Sequence, residues 1–194
     1  MAVSVTLWVK KRPCLRRALA TVGHDFLQPS GRGYDMGTAE ESARQVLAEI
    51  WKERGFPVDP VWIARQMGLK VLDAALPDNV SGALVKKADQ DPIILLNSTD
   101  SDNRKRFSCA HEIGHYMNRQ SGDVFEYIDL RGPSAAHGSS AEEIFANQFA
   151  AGLLMPESEV RRLRALKMLP AILAYRLGVS RGALDNRLKN LRLI

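Results

Sequence analysis

Two histidines four residues apart, the first followed directly by a glutamate, form the run His111-Glu112-Ile113-Gly114-His115. On a helix four residues advance about 400°, so His111 and His115 leave one face a turn apart and both imidazoles can reach a single ion. Glu112 lies beside them. In the chemistry this spacing serves, that glutamate does not ligate: it takes a proton from the water that attacks a carbonyl and returns it to the leaving amine. A bound metal lowers the pKa of water toward ~7, which brings it within reach of an ordinary carboxylate.

A catalytic ion needs a third protein ligand and one open position. Glu143 is the nearest good candidate, and Asn147 follows a turn later on the same helical face. The asparagine carbonyl could accept the N–H of a ligating histidine and fix its tautomer. Ser140 and Glu143 also read as a capping box, which would give the carboxylate a different task. Glu142 is the spare acid and could equally cap with Ser139. For stabilising an oxyanion the sequence offers His137, Tyr116 and Tyr127, although a lone loop histidine is more often simply solvated. Cys109 reads as a small buried residue. Gly114 sits inside the expected helix, where glycine costs up to ~1 kcal/mol against alanine; a close approach by a neighbouring helix or a substrate would explain it.

The elements that must hold these residues begin at Thr38. Thr38 with Glu41 makes a capping box, and Ala43, Val46, Leu47, Ile50 and Trp51 share one helical face that Gly55 closes. Asp59 and Pro60 open a second, short helix that Gly68 ends. Leu69 to Leu72, Val80 to Val85 and Ile93 to Asn97 are short, β-favouring and separated by turn residues, which suits a small antiparallel sheet. A helix is expected from Thr99 or Ser101 to Asn118, then a loop of about twenty residues rich in Gly and Ser. Ser139 or Ser140 caps the next helix, Pro156 interrupts it, and two or three short helices finish the chain. The fold class is therefore α+β: a small antiparallel sheet on a helical core, with a helix-turn-helix-like tail.

The chain has 194 residues, 45% of them hydrophobic, enough for one ordinary core. Two cysteines permit at most one bridge, so a disulfide scaffold is excluded and a reducing, cytoplasmic setting is expected. No apolar run approaches the length of a membrane span. The net charge of +5 sits at the ends: residues 1–17 carry five bases and no acid, residues 161–194 carry nine bases against Asp185, and the stretch between is net acidic. Residues 1–37 read as a basic extension of little regular structure; a start site set too far upstream of Met36 is the other explanation. Residues 38–167 form the site-bearing domain and 168–194 a C-terminal subdomain. Within the latter, Gly178 at a turn and Ser180 as a cap outline a helix-turn-helix, so DNA contact through the basic tail is one expectation. The same apolar pattern is also what three short helices need to pack together.

The runs RFSCAHEIGHYM at 106–117 and EEIFANQFAAGLLMP at 142–156 resemble the ImmA/IrrE family of bacterial and phage metallopeptidases, HEXXH proteins of gluzincin-like type. An ILLN strand and a tail reading LAYRLGVSRGALDNRL extend the resemblance over most of residues 38–194. It implies His111, His115 and Glu143 as metal ligands and Glu112 as catalytic base, with zinc, or manganese, as the ion. Phe145, where a second acid is frequent, and Cys109, where an apolar residue is usual, depart from the pattern without touching a ligand. The resemblance further implies an endopeptidase that cuts one regulatory protein, a helix-turn-helix repressor encoded nearby, to release phage, mobile-element or stress genes. The rival is a DNA- or protein-binding regulator, or one half of a toxin-antitoxin-like pair, whose metal site is structural or vestigial. Retention of Glu112 favours the enzyme.

Overall fold

The computed structural model describes residues 38–87, 90–118 and 141–194, and the backbone of 125–130. The expected extension over residues 1–37 lies outside these, as do His137 and the caps Ser139 and Ser140. Helix α1, Ala39–Val46, starts as its sequence dictates: the Glu41 N–H donates to Thr38 Oγ1 at 3.3 Å, and the Thr38 N–H donates to Glu41 Oε2 at 2.7 Å. Its final turn, Leu47–Trp51, is wound wider as π-helix, and the helix breaks at Lys52, whose φ is 57°. Gly55 therefore closes the following loop rather than the helix; its carbonyl accepts the Trp51 indole N–H at 2.7 Å. Helix α2, Pro60–Gln66, is capped by Asp59, whose Oδ1 accepts from the Val61 and Trp62 N–H groups.

Four strands lie in the order β1-β3-β2-β4: β1 is Lys70–Ala74, β2 Val80–Lys86, β3 Ile93–Asn97 and β4 Phe125–Leu130. The fold is α+β, but the sheet is mixed where an antiparallel one was expected: β1 runs parallel to β3, and β2 runs antiparallel to both β3 and β4. Strand residues reveal which side is buried, not which way a neighbour runs, so sequence had no signal for that pairing. β4 lies inside the stretch after Asn118 that was expected to be a loop rich in Gly and Ser. Asn97, buried at the end of β3, ties the sheet to the turn beyond it: its Nδ2 donates to the Val80 carbonyl at 2.8 Å and its Oδ1 accepts from the Thr99 N–H at 3.1 Å.

Helix α3, Asp102–Met117, leads from that corner across the sheet, and α4, Ala141–Leu154, packs against it. After Pro156 come α5, Glu157–Ala165, α6, Pro170–Leu177, and α7, Arg181–Asn190. Between α6 and α7, Gly178 takes a left-handed φ of 63° and Ser180 Oγ accepts from the Ala183 N–H at 3.1 Å, the turn and cap that sequence foresaw. The buried cluster does not close before these helices. Leu173, Leu177, Val179, Leu184 and Leu188 share it with Ala43, Ile63, Ile113 and Phe149. Two arginines add polar ties. Arg106 on α3 donates to the Gly178 carbonyl at 2.9 Å, and buried Arg187 on α7 donates to the Met155 carbonyl at 3.0 Å and holds Glu40 of α1 through both its Nη atoms. Among the described residues no helix is long and apolar enough to cross a membrane.

Candidate metal centre

The site is made where α3 and α4 come closest. A Cβ at Gly114 would stand 2.8 Å from the Ala146 Cα and 3.1 Å from its carbonyl oxygen, so the helices approach to a distance only glycine permits. A neighbouring helix, not a substrate, explains the mid-helix glycine. Glu143 lies one turn before Ala146 and His115 directly follows Gly114, so this contact carries the carboxylate over the imidazoles. His111 Nε2 lies 3.3 Å from Glu143 Oε2, His115 Nε2 3.1 Å from Oε1, and the two Nε2 atoms are 3.0 Å apart. The rings meet edge to face, at 79° between planes.

Both histidines are buried, and the Glu143 side chain is 29% exposed, so the cluster opens on the side of the acid. Hydrogen bonds from His111 and then His115 hold the Glu143 carboxyl well below the usual carboxylate range, against the opposing effect of burial. The carboxylate is thus anionic and aimed at two nitrogen donors. A tetrahedral ion with ligand bonds of ~2.0 Å needs donor atoms about 3.3 Å apart. The imidazole nitrogens are close to that separation, each faces one oxygen of the same carboxylate at 3.1–3.3 Å, and two imidazoles with one carboxylate leave a fourth position open, so the residues present fit a divalent metal.

Glu112 is fully buried on the sheet side of α3. Its Oε1 would lie 3.1 Å from a Cβ at residue 82, so Gly82 in the middle of β2 is what leaves space for the carboxylate. Sequence reading passed over Gly82, although a glycine inside a strand pattern signals a close approach or a bulge, and the β2–β4 register does shift between Val80 and Gly82.

Of the two acids on α4, Glu143 is the one brought to the imidazoles, whereas Glu142 is exposed. Asn147 departs from expectation. It is exposed, and among the described residues it makes no hydrogen bond to either imidazole. Tyr116 is half-buried against the core. Cys109 is fully buried, and burial, reinforced by the charge of Glu112, pushes its thiol far up, as suits a packing residue rather than a reactive one.

The family of the IrrE N-terminal-like domain, a peptidase family, matches this chain over residues 64–189, from α2 through nearly all of α7. The chain belongs to that family. Its role is therefore metallopeptidase-like in general terms, and the match includes every residue of the His111, His115, Glu143 cluster. Among curated proteins, none matches the chain. Helix α1 precedes the matched region yet is built into the same core: a Cβ at Gly152 of α4 would stand 3.2 Å from the Ala43 Cβ.

Proposed function

We propose that the chain is a zinc-dependent, site-specific endopeptidase that cuts a regulatory protein, of which a helix-turn-helix repressor encoded nearby is the leading class. His111, His115 and Glu143 hold the ion, and Glu112 is the general base. When bound, the metal supplies Lewis acidity, polarising the scissile carbonyl and making water acidic near neutral pH. Glu112 accepts the proton that the attacking water loses as its oxygen joins the carbonyl carbon. As the C–N bond breaks, Glu112 passes that proton to the departing amine, which leaves a carboxylic acid and a free amino terminus.

The observation that carries this reading is a pair of imidazole nitrogens 3.0 Å apart, each within 3.3 Å of one oxygen of the same carboxylate, beside a wholly buried glutamate. Two imidazoles with a carboxylate suit zinc, and manganese is the next ion to try. Metal analysis of the purified protein should find about one ion per chain, and mixing with the neighbouring repressor should yield two fragments. Glu112→Gln should keep the ion and stop the cut. A folded protein that carries no metal would overturn the ligand set, and a Gln variant that cuts as well as the parent would overturn the base.

A further inference from the structure

Seven large apolar side chains stand exposed among the described residues, and four of them fall between positions 166 and 175: Leu166, Leu169, Ile172 and Tyr175, the last 85% accessible. Along α6, Leu169, Ile172 and Tyr175 lie on an arc of about 120°, with Arg176 inside it, away from the buried Leu173, Ala174 and Leu177. Single exposed leucines need no explanation, but a row along one outward face does.

The charge around this row is of one sign. From Val160 to Leu184 the chain has six bases and no acid. Four of those bases are used internally: Arg161 by Glu157, Arg162 by Glu159, Arg181 by Asp185, and Arg164 by the Leu193 carbonyl. Lys167 and Arg176, the two that interleave with the apolar row, are exposed and pair with no carboxylate among the described residues. The face is apolar with two uncompensated positive charges set into it.

We propose that this face docks a partner protein through an amphipathic helix whose apolar side is bordered by carboxylates. Complementarity selects that occupant: aliphatic residues cover the row, and acids at its margin meet Lys167 and Arg176. Other occupants fit less well. Duplex DNA gains nothing from Leu169, Ile172 and Tyr175, and α7 has committed Arg187 to Glu40 and Arg181 to Asp185. Residues 1–17 of this chain carry five bases and no acid, so they would bring like charge to like. A second copy would set Lys167 and Arg176 near their own equivalents across a twofold axis. None of these residues is a ligand at the metal centre, so the docking surface stands whether or not the bound protein is cut.

The test uses the full chain and a fluorescent synthetic helix with leucines on one side and glutamates along its border. Anisotropy should show saturable binding that weakens with salt and falls roughly tenfold or more when Ile172→Glu and Tyr175→Glu are combined. Arg176→Glu should weaken it too and should improve binding of the same peptide with lysines in place of glutamates. Both variants alter exposed positions, so metal content and Tm are expected to match the parent. The proposal is overturned if the acidic peptide does not bind saturably or binds the double variant as well as the parent. It is overturned equally if the substitutions abolish binding of duplex DNA, or self-association in sedimentation, while peptide binding is unaffected.

Discussion

Polar groups are handled in opposite ways by the α3–α4 pair and by the three C-terminal helices. On α3 and α4, His111, His115 and Glu143 are turned inward, and their atoms converge on one small volume, with Glu112 buried close by. In the tail, four arginines are answered one by one, Arg161, Arg162 and Arg181 by acids on their own helices and Arg187 by Glu40, while Lys167 and Arg176 on the outer face meet no carboxylate among the described residues. Convergence on a shared point concentrates electrostatic demand, which an ion can meet. Pairwise matching removes that demand and leaves architecture. The paired arginines therefore say less about function than the modest charge of the site does.

This contrast can be broken by experiment. Substitutions on α3 and α4 should act on chemistry, and the largest effect is expected at Glu112: Gln there should lower kcat/KM by about 10²–10⁴-fold while metal content, read by elemental analysis, stays near one. Next, Gly114→Ala forces a methyl against Ala146 and should cost about 1–3 kcal/mol, seen as a lower Tm together with weaker metal binding. Arg187→Met should cost about 2 kcal/mol in denaturant unfolding, because it removes a buried partner of Met155 and Glu40, yet leave metal affinity unchanged. Should Arg187→Met loosen the metal instead, the two regions are not separable. Smallest of all, Asn147→Ala should not alter metal affinity measurably; a loss of tenfold or more would restore the histidine-orienting role that its spacing suggested.

The legibility of the sequence tracks the range of each interaction. Thr38 with Glu41, Asp59 with Pro60, and Ser180 after Gly178 are local devices, complete within a few residues, and each does what its chemistry demands. The histidine pair was legible for the same reason, since one helical turn fixes its geometry. Glu143 needed a second helix, and its motif supplied it. The direction of β1 against β3, the strand hidden at 125–130, and the space that Gly82 leaves for Glu112 depend on segments far apart in the chain, where periodicity is silent. Asn147 lies exposed one turn beyond Glu143, and which group its amide meets is not a matter that helix phase alone decides.

The missing methyl at Gly114 reaches beyond packing. Because His115 adjoins it and Glu143 stands one turn from the Ala146 it touches, the bite of the three donors is fixed by how closely two backbones can lie. The three side chains thus hang from a fixed contact between two helices. Whatever ion the cluster takes would meet a spacing set by main-chain atoms that take no part in binding it.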